Sequence, residues 1–127
     1  MEFDSPDEPG SGGEKMNEML IKALDYVRQQ LGTPISINSG YRSEQHNKDV
    51  GGVPKSQHRI GNAADVSIDS QEMGDSIEYW FKDYLGPELV GIGRYVTRDN
   101  GAGFIHLDVR GHKARWSNQA YKDYTKE

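Results

Sequence analysis

Histidine and aspartate occur together in two separate stretches of this sequence. The first, SQHRIGNAAD, contains His58 and Asp65, and the second, FIHLD, contains His106 and Asp108. Imidazole nitrogen and carboxylate oxygen are ligands that zinc accepts, and a site with three protein ligands leaves a fourth position for water, which is the catalytic pattern. The alternative is ordinary polar surface, because a His and an Asp two residues apart on a strand are usually no more than that.

Alternation in the flanking residues predicts which way these side chains face. In FIHLDV, a strand directs His106 and Asp108 to one side and the apolar residues between them to the other. The segment AADVSI, residues 63–68, likewise separates Asp65 from its apolar neighbours. If the two strands are adjacent, Asp65, His106 and the preceding His58 can converge on one ion.

The helices and strands that must position these residues can be predicted from the sequence. Together they indicate an α+β domain, in which a small antiparallel sheet is flanked by helices. Apolar residues at a spacing of 3.6 predict the helices, and Gly32 supplies the end of the first one. Alternating segments predict the strands. The predicted elements are helices over residues 16–31, 43–50 and 70–85 (the last weakened at Gly74), strands over 34–38, 63–68, 89–97 and 104–110, and a short helix after Trp116.

The composition excludes several classes of protein. The chain has 127 residues, of which 28% are charged, with a net charge of −5 and no cysteine. Such an acidic protein lacks the basic face that nucleic acids and anionic membranes require, and without cysteine it has neither disulfides nor thiolate metal sites. Every apolar segment is shorter than the ~20 residues of a membrane span. We therefore expect a monomer without nucleic-acid partners or membrane insertion.

The amino-terminal residues differ in composition from the rest. Residues 1–13 are rich in proline, glycine and acidic residues and are expected to form an extended arm, followed by a single domain over residues 14–127. The apolar core of a signal peptide is not visible. Action outside a cytoplasm would then need another route, such as delivery by a phage or release from the cell.

Four stretches together carry a family resemblance. INSGYRSEQHN, VGGVPKSQHRIGNAADV, GIGRY and FIHLDVRG followed by RW resemble the M15 family of zinc peptidases, the D-Ala-D-Ala carboxypeptidase and Hedgehog-like group, and most closely its small single-domain members from bacteria and phages. The resemblance covers residues 3–116. It implies that His58, Asp65 and His106 bind zinc. It also implies cleavage of bonds to D-amino acids in peptidoglycan stem peptides, by a D,D- or L,D-carboxypeptidase or an endopeptidase such as an endolysin.

Three further residues are candidates for contact with the substrate. The resemblance places Arg42 at the substrate end of the cleft, where it would clamp a carbonyl or carboxylate and stabilise developing charge; a structural salt bridge is the alternative. Ser56 resembles a substrate-contacting serine of the family, although it could equally cap a loop. Tyr41 would line the groove, unless it packs in the core.

One position departs from the family pattern. Many members carry the catalytic acid three residues before the last histidine, where this chain has Gly103. Asp108, on the same strand face as His106, is the nearest replacement as the general base that takes a proton from the zinc-activated water. Its alternative role is to orient the imidazole by accepting an N–H bond.

The missing acid motivates a second hypothesis about function. A zinc-bound module of the same fold could bind peptides or proteins without hydrolysing them, and a purely structural metal is a third possibility. The sequence leaves open which bond is cut.

Overall fold

The computed structural model describes residues 17–39 and 61–126, and this part of the chain forms three helices and one five-stranded sheet. In chain order the elements are α1 (Glu18–Leu31), β1 (Ile37–Ser39), β2 (Ala63–Ile68), α2 (Gln71–Leu85), β3 (Gly91–Val96), β4 (Gly103–Asp108), β5 (Ala114–Ser117) and α3 (Gln119–Thr125). The expected α+β class is confirmed. The arm expected over residues 1–13 and the helix expected over 43–50 lie outside the described residues.

The sheet has the strand order β1-β2-β4-β3-β5. The first four strands pair antiparallel, as expected, while β5 runs parallel to β3. The sequence did not predict β5. The connection over residues 109–113 passes the end of β3, where the Gly111 N–H donates to the Leu89 carbonyl at 3.0 Å. The chain therefore returns along the outer side of β3 in the direction opposite to β4.

Both long helices begin at a capping residue, and α1 ends at a glycine. The Asn17 side chain accepts hydrogen bonds from the backbone N–H groups of Met19 and Leu20 at the start of α1, and Gly32 ends the helix in the left-handed conformation with φ 69°. The Ser70 side chain caps α2 in the same way by accepting from the Met73 N–H. The predicted end of α1 at Gly32 is confirmed.

The expected weakness of α2 at Gly74 is wrong, because the helix runs through this residue without a break. A Cβ at Gly74 would lie 2.6 Å from Nη2 of Arg94. The Arg94 guanidinium packs there and donates to Gln71 and Glu78 of the same helix. Glycine thus admits a buried arginine that ties α2 to β3.

The two faces of the sheet differ in chemistry. One face packs against α1 and α2 to form the core, which consists of Leu20, Ala23, Leu24, Val27, Ile35, Ala64, Val66, Ile68, Ile77, Phe81, Val90, Ile92, Ile105 and Leu107. The opposite face, here called the site face, has three rows across β2, β4 and β3, namely Ala63–Asp108–Gly91, Asp65–His106–Gly93 and Ser67–Phe104–Tyr95. In the described part of the chain no helix is both long and apolar enough to cross a membrane.

Candidate metal centre

Asp65 on β2 and His106 on β4 lie directly opposite each other in the antiparallel register. His106 Nδ1 is 3.0 Å from Asp65 Oδ1, and the two side chains are only 12% and 11% exposed. Within residues 17–39 and 61–126 this pair is not joined by a third residue into a complete metal-binding group. His58, the remaining predicted ligand, lies outside the described residues.

The carboxylate of Asp108 is buried in a cradle of N–H donors. Its Oδ1 accepts from the backbone N–H of Gly91 at 3.1 Å and of Arg110 at 3.2 Å, and from Arg110 Nε at 2.9 Å. Its Oδ2 is 2.6 Å from Arg110 Nη2 and 2.7 Å from His106 Nε2. The Asp108 side chain has no exposed surface. Asp108 therefore connects His106 to Arg110 by a continuous set of charge-assisted hydrogen bonds.

These contacts shift the protonation equilibria of all three groups. Burial by itself would lower the pKa of His106, but hydrogen bonds to Asp108 and Asp65 outweigh it and raise the pKa above its ordinary value. Burial would raise the pKa of Asp108, yet the Arg110 and His106 donors hold that pKa well below its usual range. The hydrogen bond to Asp108 in turn raises the pKa of Arg110.

Trp116 on β5 forms one wall of the centre. Its ring centroid lies 5.1 Å from that of His106 and 5.0 Å from the Arg110 guanidinium carbon, and its Nε1 donates to the Tyr95 hydroxyl at 2.6 Å. The indole lies over Gly93, where a Cβ would collide with it. The glycine and the parallel β5 strand together allow the indole to pack beside His106.

Gly103, at the position of the family's acid, has no room for a side chain. It starts β4 on the core-facing side, paired with Ile68 and Val96. A Cβ there would overlap the backbone carbonyl oxygen of Tyr95. Because the obstacle is backbone, a rotamer change cannot relieve it. In this register an acid at position 103 cannot reach the site face.

Replacing Gly103 by glutamate, which restores the family's residue type, is therefore expected to lower the free energy of unfolding by about 1–3 kcal/mol or more through overpacking. It should not increase peptide hydrolysis. Urea unfolding and a hydrolysis assay check the two parts, with Gly103→Ala as the matched variant that adds only the clashing methyl group. Higher activity in the Glu variant than in the wild type would contradict this account of β4.

The pair of Asp65 and His106 fits a shared zinc ion. Two ligands of a tetrahedral zinc ion lie about 3.3 Å apart when each is about 2.0–2.2 Å from the metal, so the observed 3.0 Å needs only a small separation of the two side chains. If zinc is bound at Nδ1, which faces Asp65, the imidazole proton would reside on Nε2 and would be donated to Asp108. A carboxylate that accepts from the distal nitrogen of a histidine ligand is the usual way of fixing the ring and its tautomer.

The metal-free protein should show a defined pH profile of stability. The lowered pKa of Asp108 contributes stability that is present above about pH 3.9 and is lost as pH falls through the folded-state value. The raised pKa of His106 contributes stability that is present below about pH 6.5 and is lost as pH rises through the folded-state value. The free energy of unfolding is thus expected to be largest between about pH 4 and 6.5.

Urea unfolding in the presence of a chelator, at a series of pH values, measures this profile. Asp108→Asn is the comparison variant. Below about pH 4, the free energy of unfolding of the wild type should fall because Asp108 and other carboxylates become protonated. In the variant the part of this fall that Asp108 causes should be absent. If the free energies of unfolding of the two proteins fall equally below about pH 4, the lowered pKa of Asp108 is contradicted.

The structure places the sequence-predicted residues in two groups. Asp65, His106 and Asp108 come together on the site face, whereas Tyr41, Arg42, Ser56 and His58 lie outside the described residues. Two contacting residues were missed. Arg110 carries a readable signal, because it follows Asp108 by two positions and has the opposite charge. Trp116 belongs to the RW stretch of the family resemblance, but only the β3–β5 pairing shows that it lies beside His106.

Comparison with known proteins identifies the family of this chain. A profile of the Peptidase M15 family matches residues 4–108. The chain is also 36% identical over 85 residues to the zinc D-Ala-D-Ala carboxypeptidase of Streptomyces albus G, an alignment that covers 63% of this chain and 33% of the relative. The aligned region thus spans about a third of the length of that curated relative. Because the profile covers most of the sequence, the chain belongs to the peptidase M15 family.

Proposed function

We propose that this protein is a zinc-dependent peptidase that hydrolyses bonds to D-amino acids in bacterial peptidoglycan. The observation that carries the proposal is the Asp65–His106 pair, held in register on adjacent strands at 3.0 Å. Membership of the peptidase M15 family supports the reaction class. The name of the Streptomyces albus G relative supports zinc and a D-Ala-D-Ala substrate.

In this proposal His58, Asp65 and His106 hold the zinc ion. When bound, zinc would lower the pKa of water and polarise the scissile carbonyl. His106 would hold the ion through Nδ1, which faces Asp65, and would donate its Nε2 N–H to the Asp108 carboxylate. The Trp116 ring beside His106 limits the access of solvent to the imidazole.

Of the two roles that the sequence leaves open for Asp108, the contacts favour the orienting one. Both of its oxygens already accept N–H donors, and its side chain is completely buried. An effective general base needs a pKa near the working pH, whereas the pKa of Asp108 lies well below its usual range. We therefore propose that Asp108 fixes the ring and tautomer of His106.

The saturated hydrogen bonding of Asp108 also favours one competing function. Gly103 supplies no acid, and the carboxylate of Asp108 is engaged by Arg110, His106 and Gly91. A zinc-bound module that binds peptides without cleaving them would be compatible with both facts. The second candidate function is therefore a non-hydrolytic peptide- or protein-binding module.

The remaining roles rest on the family resemblance. Arg42 would stabilise charge on the carbonyl under attack and, with Ser56 and Tyr41, contact the stem peptide. The substrate itself places the reaction at the cell wall, so we propose a monomeric enzyme that reaches the wall by phage delivery or by release.

Mass spectrometry of muropeptides incubated with the protein tests the proposal. Loss of a terminal D-amino acid indicates a carboxypeptidase, and conversion of cross-linked dimers to monomers indicates an endopeptidase. Either activity should disappear with a chelator and return with zinc. Unchanged muropeptides, together with stoichiometric zinc binding in calorimetry, would instead favour the binding module.

A further inference from the structure

A pocket of about 640 Å³, here called the basic pocket, lies between α2, the β3–β5 edge of the sheet and α3. Its strand residues are the paired rows Ile92–Arg115 and Arg94–Ser117. These positions alternate with those of the site face, so they point to the opposite side of the sheet. Trp116 borders the pocket at the β5 edge, although its indole packs beside the candidate metal centre. The sheet therefore separates the basic pocket from that centre.

The lining of the basic pocket concentrates positive charge in an acidic protein. It contains five basic residues and one acidic residue, namely Lys82, Arg94, Lys113, Arg115, Lys122 and Glu78. The chain has 15 lysines and arginines and a net charge of −5, so a third of its basic residues border one cavity. Two further carboxylates contact the group, Asp75 at 3.0 Å from Arg94 and Glu88 at 4.0 Å from Lys113. With both of them counted, the positive charges still exceed the negative ones by two.

The two arginines of the basic pocket are engaged by the protein itself. Arg94 Nη1 donates to Glu78 at 2.9 Å, and the buried Arg94 Nε has no hydrogen-bond partner in the described part of the chain. The terminal nitrogens of Arg115 donate to the carbonyls of Val90 and Pro87 at 2.6 and 2.8 Å. A planar carboxylate is recognised best by a free guanidinium fork. Because both forks are occupied, the pocket is poorly suited to selecting a carboxylate.

Three ammonium groups are available, one from each side of the basic pocket. Lys82 lies in the last turn of α2, Lys113 in the connection before β5, and Lys122 in α3. Lys82 and Lys113 are 34% and 55% exposed and make only long contacts, 3.4 Å to Glu78 and 4.0 Å to Glu88. The exposed Lys122 ammonium has no ion pair within the described ranges. Ammonium groups are compact charges with rotatable donors, which suit the oxygens of a phosphate group.

The size and the aromatic residues of the basic pocket restrict the kind of phosphate ligand. Its volume is about twenty times the ~30 Å³ that one water molecule occupies, so several phosphate groups with their linkers fit. A single-stranded nucleic acid would need aromatic rings on which its bases stack. The lining rings of Tyr121 and Trp116 are each already covered by a guanidinium at 5.0 Å, those of Arg94 and Arg110. A phosphodiester chain without bases therefore fits better.

We propose that the basic pocket binds a polymer of phosphodiester-linked polyols, such as a chain of glycerol phosphate units. The ammonium groups of Lys82, Lys113 and Lys122 bind its phosphates. Because the sheet separates the pocket from the metal centre, polymer and peptide can be bound at the same time. The pocket would thus hold the protein on an anionic polymer while the metal centre meets its peptide, and only this last step rests on the proposed function.

Calorimetry with a short glycerol phosphate oligomer, in the presence of a chelator, tests the binding. The wild-type protein should bind the oligomer, and its affinity should fall as the salt concentration rises, because ion contacts to phosphates release counterions. The triple variant Lys82→Gln, Lys113→Gln and Lys122→Gln should bind about tenfold more weakly, the combined effect of three surface ion pairs.

The matched control is the triple variant Lys22→Gln, Arg98→Gln and Lys126→Gln, which removes three positive charges from exposed positions outside the pocket. It should bind the oligomer within about twofold of the wild type, whereas an equal loss in both triple variants would reduce the effect to net charge. Should the first variant fail to unfold cooperatively in urea, Lys122→Glu compared with Lys126→Glu repeats the test at one position. Only the former should weaken binding.

Two further polymers of equal charge decide the ligand class. Polyglutamate bound as tightly as the glycerol phosphate oligomer would refute the preference for phosphodiesters, and tighter binding of oligothymidylate would assign the pocket to nucleic acid instead. Absence of binding to the oligomer also overturns the inference. Since binding is measured without zinc, a protein that binds the oligomer and cleaves no muropeptide keeps the basic pocket and loses only the proposed function.

Discussion

Replacing His106 by alanine is expected to abolish stoichiometric zinc binding and to reduce hydrolysis of muropeptides by about 10³-fold or more. A metal ion contributes several kcal/mol to the stabilisation of a hydrolytic transition state, and each 1.36 kcal/mol corresponds to a tenfold change in rate. His106 is the only predicted nitrogen ligand within the described residues, and its Nδ1 atom faces the Asp65 carboxylate at 3.0 Å. The alanine variant removes the imidazole that faces Asp65 across the two strands.

Calorimetry with zinc and mass spectrometry of muropeptides provide the two measurements. His112→Ala is the matched control, because this second histidine is exposed in the connection before β5. The control should bind zinc and hydrolyse substrate as the wild type does. Zinc affinity that persists in His106→Ala and disappears in His112→Ala would remove the basis of the proposed metal centre.

Replacing Asp108 by asparagine is expected to weaken zinc binding by about 10–100-fold, the usual cost of losing the group that orients a histidine ligand. It should also lower the free energy of unfolding by up to about 3 kcal/mol. Removing one partner of a buried ion pair leaves the other charge uncompensated, and Arg110, whose side chain is 21% exposed, would recover part of that loss from water. Asparagine keeps the shape of the side chain and an oxygen that can accept the His106 N–H.

The same variant separates the two roles of Asp108 through kcat at saturating zinc. If Asp108 orients His106, saturating metal should restore kcat to within about tenfold of the wild type, since the loss is one of affinity. If Asp108 is the general base, kcat should remain about 10²–10⁴-fold lower whatever the zinc concentration.

The control for stability is Asp25→Asn on α1. It removes a carboxylate that is 60% exposed and 3.8 Å from Arg28, so urea unfolding should change by no more than about 0.5 kcal/mol. A stability loss in Asp108→Asn no larger than that of the control would show that the buried cradle contributes little.

Local patterns in the sequence predicted much of the framework. The alternation in FIHLDV and AADVSI placed His106, Asp108 and Asp65 on the faces that the structure shows. The helices α1 and α2 followed from apolar spacing and from glycine at the end of α1. These features are local, because strand alternation and helix periodicity depend on residues that are near one another in the chain.

The sequence predicted the ends of some elements less accurately. The first strand was expected over residues 34–38 and is observed over Ile37–Ser39, with a register irregularity against β2. A three-residue edge strand carries too few alternating positions to fix its own limits. Its pairing partner, rather than its composition, determines where it starts.

The tertiary structure alone decided how the centre is built. The sequence contains both Asp108 and Arg110, but only the fold shows their paired hydrogen bonds and the burial of the carboxylate between them. The parallel pairing of β5 with β3 brings Trp116 to His106, and the backbone of Tyr95 excludes a side chain at Gly103.

The division has a physical reason. A residue's face and its tendency to form a helix or strand are determined by neighbours a few positions away, so the sequence by itself determined the α+β framework and the family of this chain. Which strand lies beside which, which ring nitrogen meets which carboxylate, and whether a carboxylate is free or saturated depend on contacts between residues far apart in the chain. Those contacts have no local periodicity, and here only the packed sheet defined them.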